Sequence, residues 1–373
     1  MILPGGTLGI LGGGQLGRML CLEARRMGYR TVVWSGTEVA EPTQGVPDEL
    51  ILKPFSDTEA LARFVSQVDV ATVEFENIDH DVLRAVDAAV GLYPKPEAVA
   101  ISQNREREKL FLKGKGIPCA PFRVVESAAE LAAGVSELGG QTVLKTAAFG
   151  YDGKGQVKVA EGDDYEFIWS NFDSTRGVLE QWISFDCEIS VMVARGNDGE
   201  VVAYDAVENV HREHVLDYSI APARIAPELL VEARDVAIKL AETLRYQGLL
   251  GVEFFVSEQA GLMVNEMAPR PHNSVHHTMN ACATSQFEQQ LRAVVGLPLG
   301  DTQLLSPGVM LNLLGDLWSA SDFRETLVKQ ESAFWHFYGK SSSKGLRKCG
   351  HLNFLGEQAL ERALSFKDVL LKS

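Results

Sequence analysis

Short apolar runs alternate with amphipathic stretches through the first hundred residues. TLGIL at 7–11 reads as a strand, and the glycine turn behind it opens a helix that runs to about Met27. RTVVW at 30–34 is the next strand, a helix follows from about Thr58 to Ser66, and ATVEF at 71–75 is a further strand. Strands separated by helices predict a parallel sheet with right-handed crossovers. The proline-bearing YPKP at 93–96 marks a boundary. Beyond it come a charged helix at about 103–115, strands near 121–125 and 142–146, and a glycine-rich loop at 150–155. Strands follow near 178–182, 187–194 and 201–207. A long helix at about 228–245 precedes two β-type runs between 251 and 268, joined by the turn Gln259–Gly261. A helix at about 284–295 ends at GLPLG, and the last seventy or so residues read as a small β-rich unit.

Composition narrows the class. At 373 residues the chain is too long for one small core and implies two or three domains. A formal charge of −15 argues against a nucleic-acid or anionic-membrane surface, so any phosphate site must be locally basic. The five cysteines are scattered without CxxC spacing, which fits a reducing compartment and speaks against a disulfide framework or a zinc site. No apolar run reaches the roughly 18 residues of a membrane span. Residues 1–14 pass straight into a strand and a glycine turn, with no basic flank or cleavage signal. The expectation is a cytoplasmic protein, or one module of a larger chain.

Three stretches carry candidate chemistry. Glu253 and Glu266 fall on the two hairpin strands, and carboxylates aimed at one place suit a hard cation such as Mg²⁺, which shares its oxygens with substrate phosphates. Behind them NEMAPRPHNS collects a guanidinium, an imidazole and an amide on a stretch that two prolines keep out of a helix. The loop GYDGKGQ at 150–156 has glycines that let backbone N–H groups fold over phosphates, with Lys145 on the strand before it as a point charge. It is not a P-loop, because GxxxxGK[ST] is missing. EQWI at 180–183 has the form of a strand edge that could meet an adenine, with Glu188 in reach of a ribose. The amino-terminal GxGxxG at Gly12, Gly14 and Gly17 is a weaker signal. A dinucleotide site wants an acidic residue closing the second strand, and here that strand ends WSGT.

The order of these elements is that of the ATP-grasp superfamily. Within it, GGGQLGRM, VEFENI at 73–78, YDGKGQ, NEMAPRPHNS and GKSSSKGLRKCGH at 339–351 together resemble the 5-(carboxyamino)imidazole ribonucleotide synthase family. The resemblance implies an α/β chain with an ATP-grasp fold. It would have a Rossmann-like parallel-sheet domain at 1–100, the ATP-grasp domain at 101–298 and a small C-terminal β-rich domain at 299–373. It implies ATP and Mg²⁺ as cofactors, aminoimidazole ribonucleotide and bicarbonate as further small-molecule substrates, and a homodimer. Arg105 and Lys145 would hold the ATP phosphates, with Gly150, Gly153, Lys154, Gly155 and Gln156 in the loop that closes over them. Glu180, Gln181, Trp182, Ile183, Glu188, His211 and Asn265 would seat the nucleotide, and Glu253 and Glu266 the metal. Gly14, Gln15, Leu16 and Glu74 would hold the ribonucleotide, with its 5′-phosphate on Lys340, Arg347 and Lys348. Arg270, His272 and Asn273 would cradle bicarbonate. Tyr151, Asp152 and Lys340 are candidates for positioning the substrate amine and moving its proton, and a neutral His272 is another candidate base.

Departures concern the C-terminal segment, where a serine run replaces an expected proline turn and Cys349 stands at a usual methionine. Rival readings are a formate-dependent glycinamide ribonucleotide transformylase of the same superfamily, a nicotinamide-dependent dehydrogenase, and a non-catalytic nucleotide-binding regulator. The dehydrogenase leaves the carboxylate pair unused, whereas an inactive binder would be expected to have lost Glu253, Glu266 or Arg270.

Overall fold

The structure is a computed structural model that describes residues 1–147 and 155–372. Its first part runs β1 (Thr7–Leu11), α1 (Gln15–Arg26), β2 (Arg30–Gly36), β3 (Glu49–Pro54), α2 (Thr58–Val65), β4 (Val70–Val73), α3 (His80–Val90) and α4 (Pro96–Ser102). The strands form a four-stranded parallel sheet in the order β3-β2-β1-β4. On α1 the apolar positions Leu16, Met19, Leu20 and Ala24 fall at helical spacing and bury against Leu8 and Ile10 of β1. Asp57 caps α2 by accepting from the N–H groups of Glu59 and Ala60. Because β4 stops at Val73, Glu74 and Glu76 lie just beyond its carboxyl end, where open parallel sheets present ligand-facing groups.

The chain continues through α5 (Arg105–Gly114), β5 (Phe122–Val125), α6 (Ala128–Glu137), β6 (Gln141–Thr146), β7 (Gln156–Ala160), α7 (Tyr165–Ser170) and β8 (Gly177–Gln181). These strands make a second, antiparallel sheet, β5-β8-β6-β7, whose core is Val125, Leu131, Val135, Leu144, Val159 and Leu179. Next come β9 (Cys187–Arg195), β10 (Val201–Ala203), β11 (Val207–Arg212), β12 (Val215–Ala221), α8 (Pro227–Thr243), β13 (Gly248–Ser257) and β14 (Gly261–Ala268). A single turn, α9 (Thr278–Ala281), and α10 (Gln286–Val295) follow. The remainder is β15 (Gly308–Leu313), α11 (Gly315–Trp318), α12 (Phe323–Val328), β16 (Ala333–Phe337), β17 (Gly350–Leu355) and α13 (Ala359–Leu371).

The third sheet follows the path β14-β13-β9-β11-β12-β15-β17-β16, with β10 added on β9. Its C-terminal strands therefore continue the same sheet, joined where β15 pairs antiparallel with β12. Ala233, Ala237 and Ala241 of α8, small residues that let the helix sit close, cover one face together with Leu240. Phe287, Leu291, Val294 and Val295 of α10 pack instead into the core of the amino-terminal sheet, tying the first and third sheets together.

Several elements go beyond the sequence reading. The expected strand at 201–207 is two strands, β10 and β11, separated at residues 204–206. β3, β7 and β12 carry polar or exposed positions that blunt the alternation. The C-terminal stretch adds three helices to its three strands. Among the described residues no helix is long and apolar enough to cross a membrane.

Candidate active site

A cavity of about 790 Å³ opens between the second and third sheets and reaches the end of β4. Its cationic wall is built on Glu180. In β8, Glu180 pairs with Val143 of β6, which in turn pairs with Lys158 of β7, so the three side chains share one face of the sheet. The Glu180 carboxylate is buried 3.1 Å from Lys145, 3.2 Å from Lys109 and 3.5 Å from Arg105, the first residue of α5. Burial alone would raise its pKa. Lys109, Lys145 and Arg105 outweigh that and hold it well below the usual carboxylate range. Lys145 is in turn lowered by burial, an effect that Glu180 partly offsets.

The opposite wall is acidic. The hairpin β13–β14 sets Glu253 directly opposite Glu266, and a bulge follows in which Phe254 faces Val264 and Asn265 has no opposite residue. That turns the Asn265 carbonyl to Lys109 Nζ at 3.1 Å, so the bulge ties the two walls together. Glu188 of β9 joins the pair. Burial, then Glu266 and Glu188, push the Glu253 carboxyl up, and burial with Glu266 brings Glu188 to about 7. A hard cation bound between Glu253 and Glu266 would relieve the repulsion that pushes Glu253 up, so the pair fits Mg²⁺. His211 Nδ1 lies 3.2 Å from Glu188, and His272 Nε2 lies 3.2 Å from Glu253.

Beside the acidic wall, Arg270 makes a two-pronged contact with Glu76, at 2.5 and 3.2 Å. The amide of Asn273 is buried, lines the cavity, and finds no partner for Oδ1 or Nδ2 among the described residues. A buried orphan amide of that kind suits a small polar ligand.

A second cavity of about 500 Å³ adjoins the first and shares Gly14, Gln15, Glu74 and Phe75 with it. Here the GxGxxG turn has an internal partner. Glu74 accepts from the N–H of Gly14 and from that of Gly17 at 2.6 Å, and a Cβ on Gly12 or Gly14 would come within 2.3 or 2.6 Å of its side-chain atoms. The anion position that a dinucleotide pyrophosphate would need at this helix start is filled by a carboxylate, so the dehydrogenase reading falls. Lys340 and Arg347 line this second cavity, with Arg347 also 3.1 Å from Glu41. Burial, then Arg347, bring Lys340 down to about 8.

Most residues singled out in the sequence therefore converge. Gly14, Gln15, Leu16, Glu74, Arg105, Lys145, Gly155, Gln156, Glu180, Gln181, Trp182, Ile183, Glu188, His211, Glu253, Asn265, Glu266, Arg270, His272 and Asn273 all line the larger cavity. Lys348 lines it too, close enough for its charge to act on Glu253, whereas Lys340 and Arg347 line the smaller one. Gly150, Tyr151, Asp152, Gly153 and Lys154 lie outside the described residues. The sequence reading missed Lys109, Glu108, Glu76 and Lys158. Glu108 accepts from the Met267 N–H at 2.6 Å beneath Glu266, and Lys158 Nζ sits 4.1 Å over the Trp182 ring. The signal for Glu108 and Lys109 was their helical spacing from Arg105, and for Glu76 the second glutamate of VEFENI; Lys158 on β7 had none.

Cations on one antiparallel sheet facing carboxylates on another across a deep cleft is the ATP-grasp arrangement, and the family model for the ATP-grasp domain matches residues 110–287. The ribonucleotide synthetase preATP-grasp domain matches residues 6–103, and the phosphoribosylaminoimidazole carboxylase C-terminal domain matches 308–364. The chain belongs to the N5-carboxyaminoimidazole ribonucleotide synthase family. It is 42% identical to the enzyme of that name from Bacillus subtilis, over 95% of this chain and 93% of the relative. It is 41% identical to the one from Brucella melitensis, over 94% and 96%. Among solved structures, N5-carboxyaminoimidazole synthetase from Staphylococcus aureus complexed with ADP aligns at a TM-score of 0.92 with 34% identity, covering 98% and 97% of the two chains. N5-carboxyaminoimidazole synthase from Aspergillus clavatus in complex with ADP and 5-aminoimidazole ribonucleotide aligns at 0.90 with 30% identity, covering 100% of each.

Proposed function

We propose that the chain carboxylates 5-aminoimidazole ribonucleotide with bicarbonate at the expense of ATP. The products are 5-(carboxyamino)imidazole ribonucleotide, ADP and phosphate, in purine biosynthesis. The observation that carries this reading is the shared wall of the two cavities. A cleft with cations on one side and carboxylates on the other opens onto a smaller pocket in which Lys340 and Arg347 can receive a phosphate ester. Arg105 and Lys145 take the ATP phosphates, held at fixed spacing by Glu180. The Glu180 carboxylate, spent on three cations, contributes to the nucleotide through that spacing, while the backbone of 180–183 and the Trp182 ring meet the base. Glu253 and Glu266 would hold Mg²⁺, which when bound offsets the charge of the phosphates.

Bicarbonate attacks the γ-phosphate, and the mixed anhydride carboxyphosphate forms as ADP leaves. Arg270 and the unpartnered Asn273 amide hold the carboxyl end of that intermediate. The glycine loop containing Tyr151 and Asp152 excludes water, since carboxyphosphate hydrolyses readily. The ribonucleotide lies along Gly14, Gln15 and Glu74 with its phosphate at Lys340 and Arg347, which places its amine at the opening between the cavities. Lys348, on the larger cavity, serves the carboxyl-transfer end of the site. The division of labour follows 1–100 for the ribonucleotide, 101–298 for ATP, and 299–373 for the phosphate anchors. We further propose a cytoplasmic homodimer. The exposed Phe334, Trp335 and Phe337 on the edge strand β16 support self-association, which sedimentation would measure. Incorporation of labelled bicarbonate into the ribonucleotide, dependent on ATP, tests the activity. Label that stays in solution while ATP is consumed would refute it.

A further inference from the structure

A row of buried polar side chains in mutual contact runs between the two substrate-bearing ends of the site. Tyr338 stands between β16 and Lys340, and its hydroxyl lies 2.7 Å from His351 Nδ1 on β17. The His351 ring stacks on His276 with centroids 4.7 Å apart, and on His336 at 4.4 Å. His276 Nδ1 is 2.8 Å from Gln286 Nε2. Gln286 in turn grips the backbone of His272, accepting from its N–H at 2.8 Å and donating to its carbonyl at 2.9 Å. Tyr338, His351, His276 and Gln286 are each no more than 1% exposed.

Backbone groups fix the protons along this path. An N–H can only donate, so Gln286 Oε1 is the acceptor for His272 and both Nε2 hydrogens are donors, one of them to His276 Nδ1. His276 therefore carries its proton on Nε2. Likewise the Ser274 N–H, 3.4 Å from His272 Nδ1, makes that nitrogen an acceptor and leaves the His272 proton on Nε2, pointing at Glu253. With Nδ1 taken up by Ser274, His272 turns its Nε2–H to the Glu253 carboxylate and orients it.

The path is hydrogen-bonded at both ends and ring-stacked between His351 and His276, whose Nε2 atoms have no partner among the described residues, so its packing ties the two ends to one arrangement. We infer that Gln286, His276, His351 and Tyr338 are positioning residues that hold the His272–Glu253 contact and Lys340 in one mutual register, so that the carboxyl donor meets the ribonucleotide amine. The inference rests on the proposed carboxylation. A seam that slips leaves ATP binding intact but lets carboxyphosphate be lost to water before transfer.

The test uses Gln286→Leu and Tyr338→Phe, measuring phosphate released per carboxylated ribonucleotide formed, KM for both nucleotides, and Tm. Wild type forming no carboxylated product would overturn the proposed function rather than the seam. With wild type near one phosphate per product, the variants should release several phosphates per product. Their kcat/KM for the ribonucleotide should fall on the order of 10-fold, with KM for ATP within about twofold. A purely structural role would lower the active fraction and Tm with the ratio unchanged, and that result refutes the inference. Tyr338→Phe removes a single oxygen and decides the matter should Gln286→Leu fail to fold.

Discussion

Replacing Glu180 by Gln removes the counter-charge of a buried cation cluster while keeping the side chain's shape. In the wild type the carboxylate is 2% exposed and meets Lys145, Lys109 and Arg105 at 3.1, 3.2 and 3.5 Å. Removing one partner of a buried charge cluster costs about 3–5 kcal/mol, and the amide oxygen that still accepts from one cation sets the lower end, about 3 kcal/mol. With an unfolding entropy of about 2.1 cal/mol/K per residue over the chain, Tm should drop by about 4 °C at pH 7. The pH dependence has a defined sign. The Glu180 pKa is lowered in the folded protein, so its contribution is present above the unfolded value of about 4.3 and fades as pH falls through the folded value. Scanning calorimetry should therefore show the gap between wild type and Glu180→Gln narrowing from about pH 5 downward. A gap under about 1 °C at pH 7, or one that does not change with pH, would refute the cluster argument.

Lys340 sits at about 8 in the free protein and loses its charge as pH rises through that value, so kcat/KM for the ribonucleotide should decline above pH 8 while that for ATP stays level. Lys340→Met should start low and show no such decline. Burial lowers His277 and His336 to about 4 from 6.5, so their contribution to stability is complete above 6.5 and is lost as pH falls toward 4. Tm should fall across that window, and by less in His336→Gln. Glu266→Gln removes one charge of the carboxylate pair proposed to hold Mg²⁺, and with it the repulsion on Glu253. ATP-dependent phosphate release should drop roughly 1,000-fold, with Tm falling by no more than about 2 °C.

Local chemistry was legible in the chain wherever one segment carried it whole. The placing of Glu253 and Glu266 on adjacent hairpin strands followed from two β-type runs and a turn, though their direct opposition needs the Asn265 bulge, and ATVEF placed Glu74 at a strand end. Contacts across long separations were not legible. Lys109 meets Glu180, 71 residues on, and its burial depends on the Asn265 bulge, which no periodicity announces. Lys340, Arg347 and Lys348 read as one basic cluster, yet the chain puts the first two on one cavity and the third on the other. The Gly12–Gly17 turn read as an anion site, and the anion proved to be the protein's own Glu74. Strand β12 escaped notice because Asp217 interrupts its apolar pattern, and only the fold shows that residue paired with Lys367 of α13.

The central claim is the identity of the one-carbon donor and its acceptor. It is tested most directly by phosphate release from ATP with aminoimidazole ribonucleotide and bicarbonate, against a parallel reaction with glycinamide ribonucleotide and formate. The account predicts turnover in the first that disappears when bicarbonate is withheld, and none in the second. Turnover independent of bicarbonate, or activity only with formate and glycinamide ribonucleotide, would contradict it.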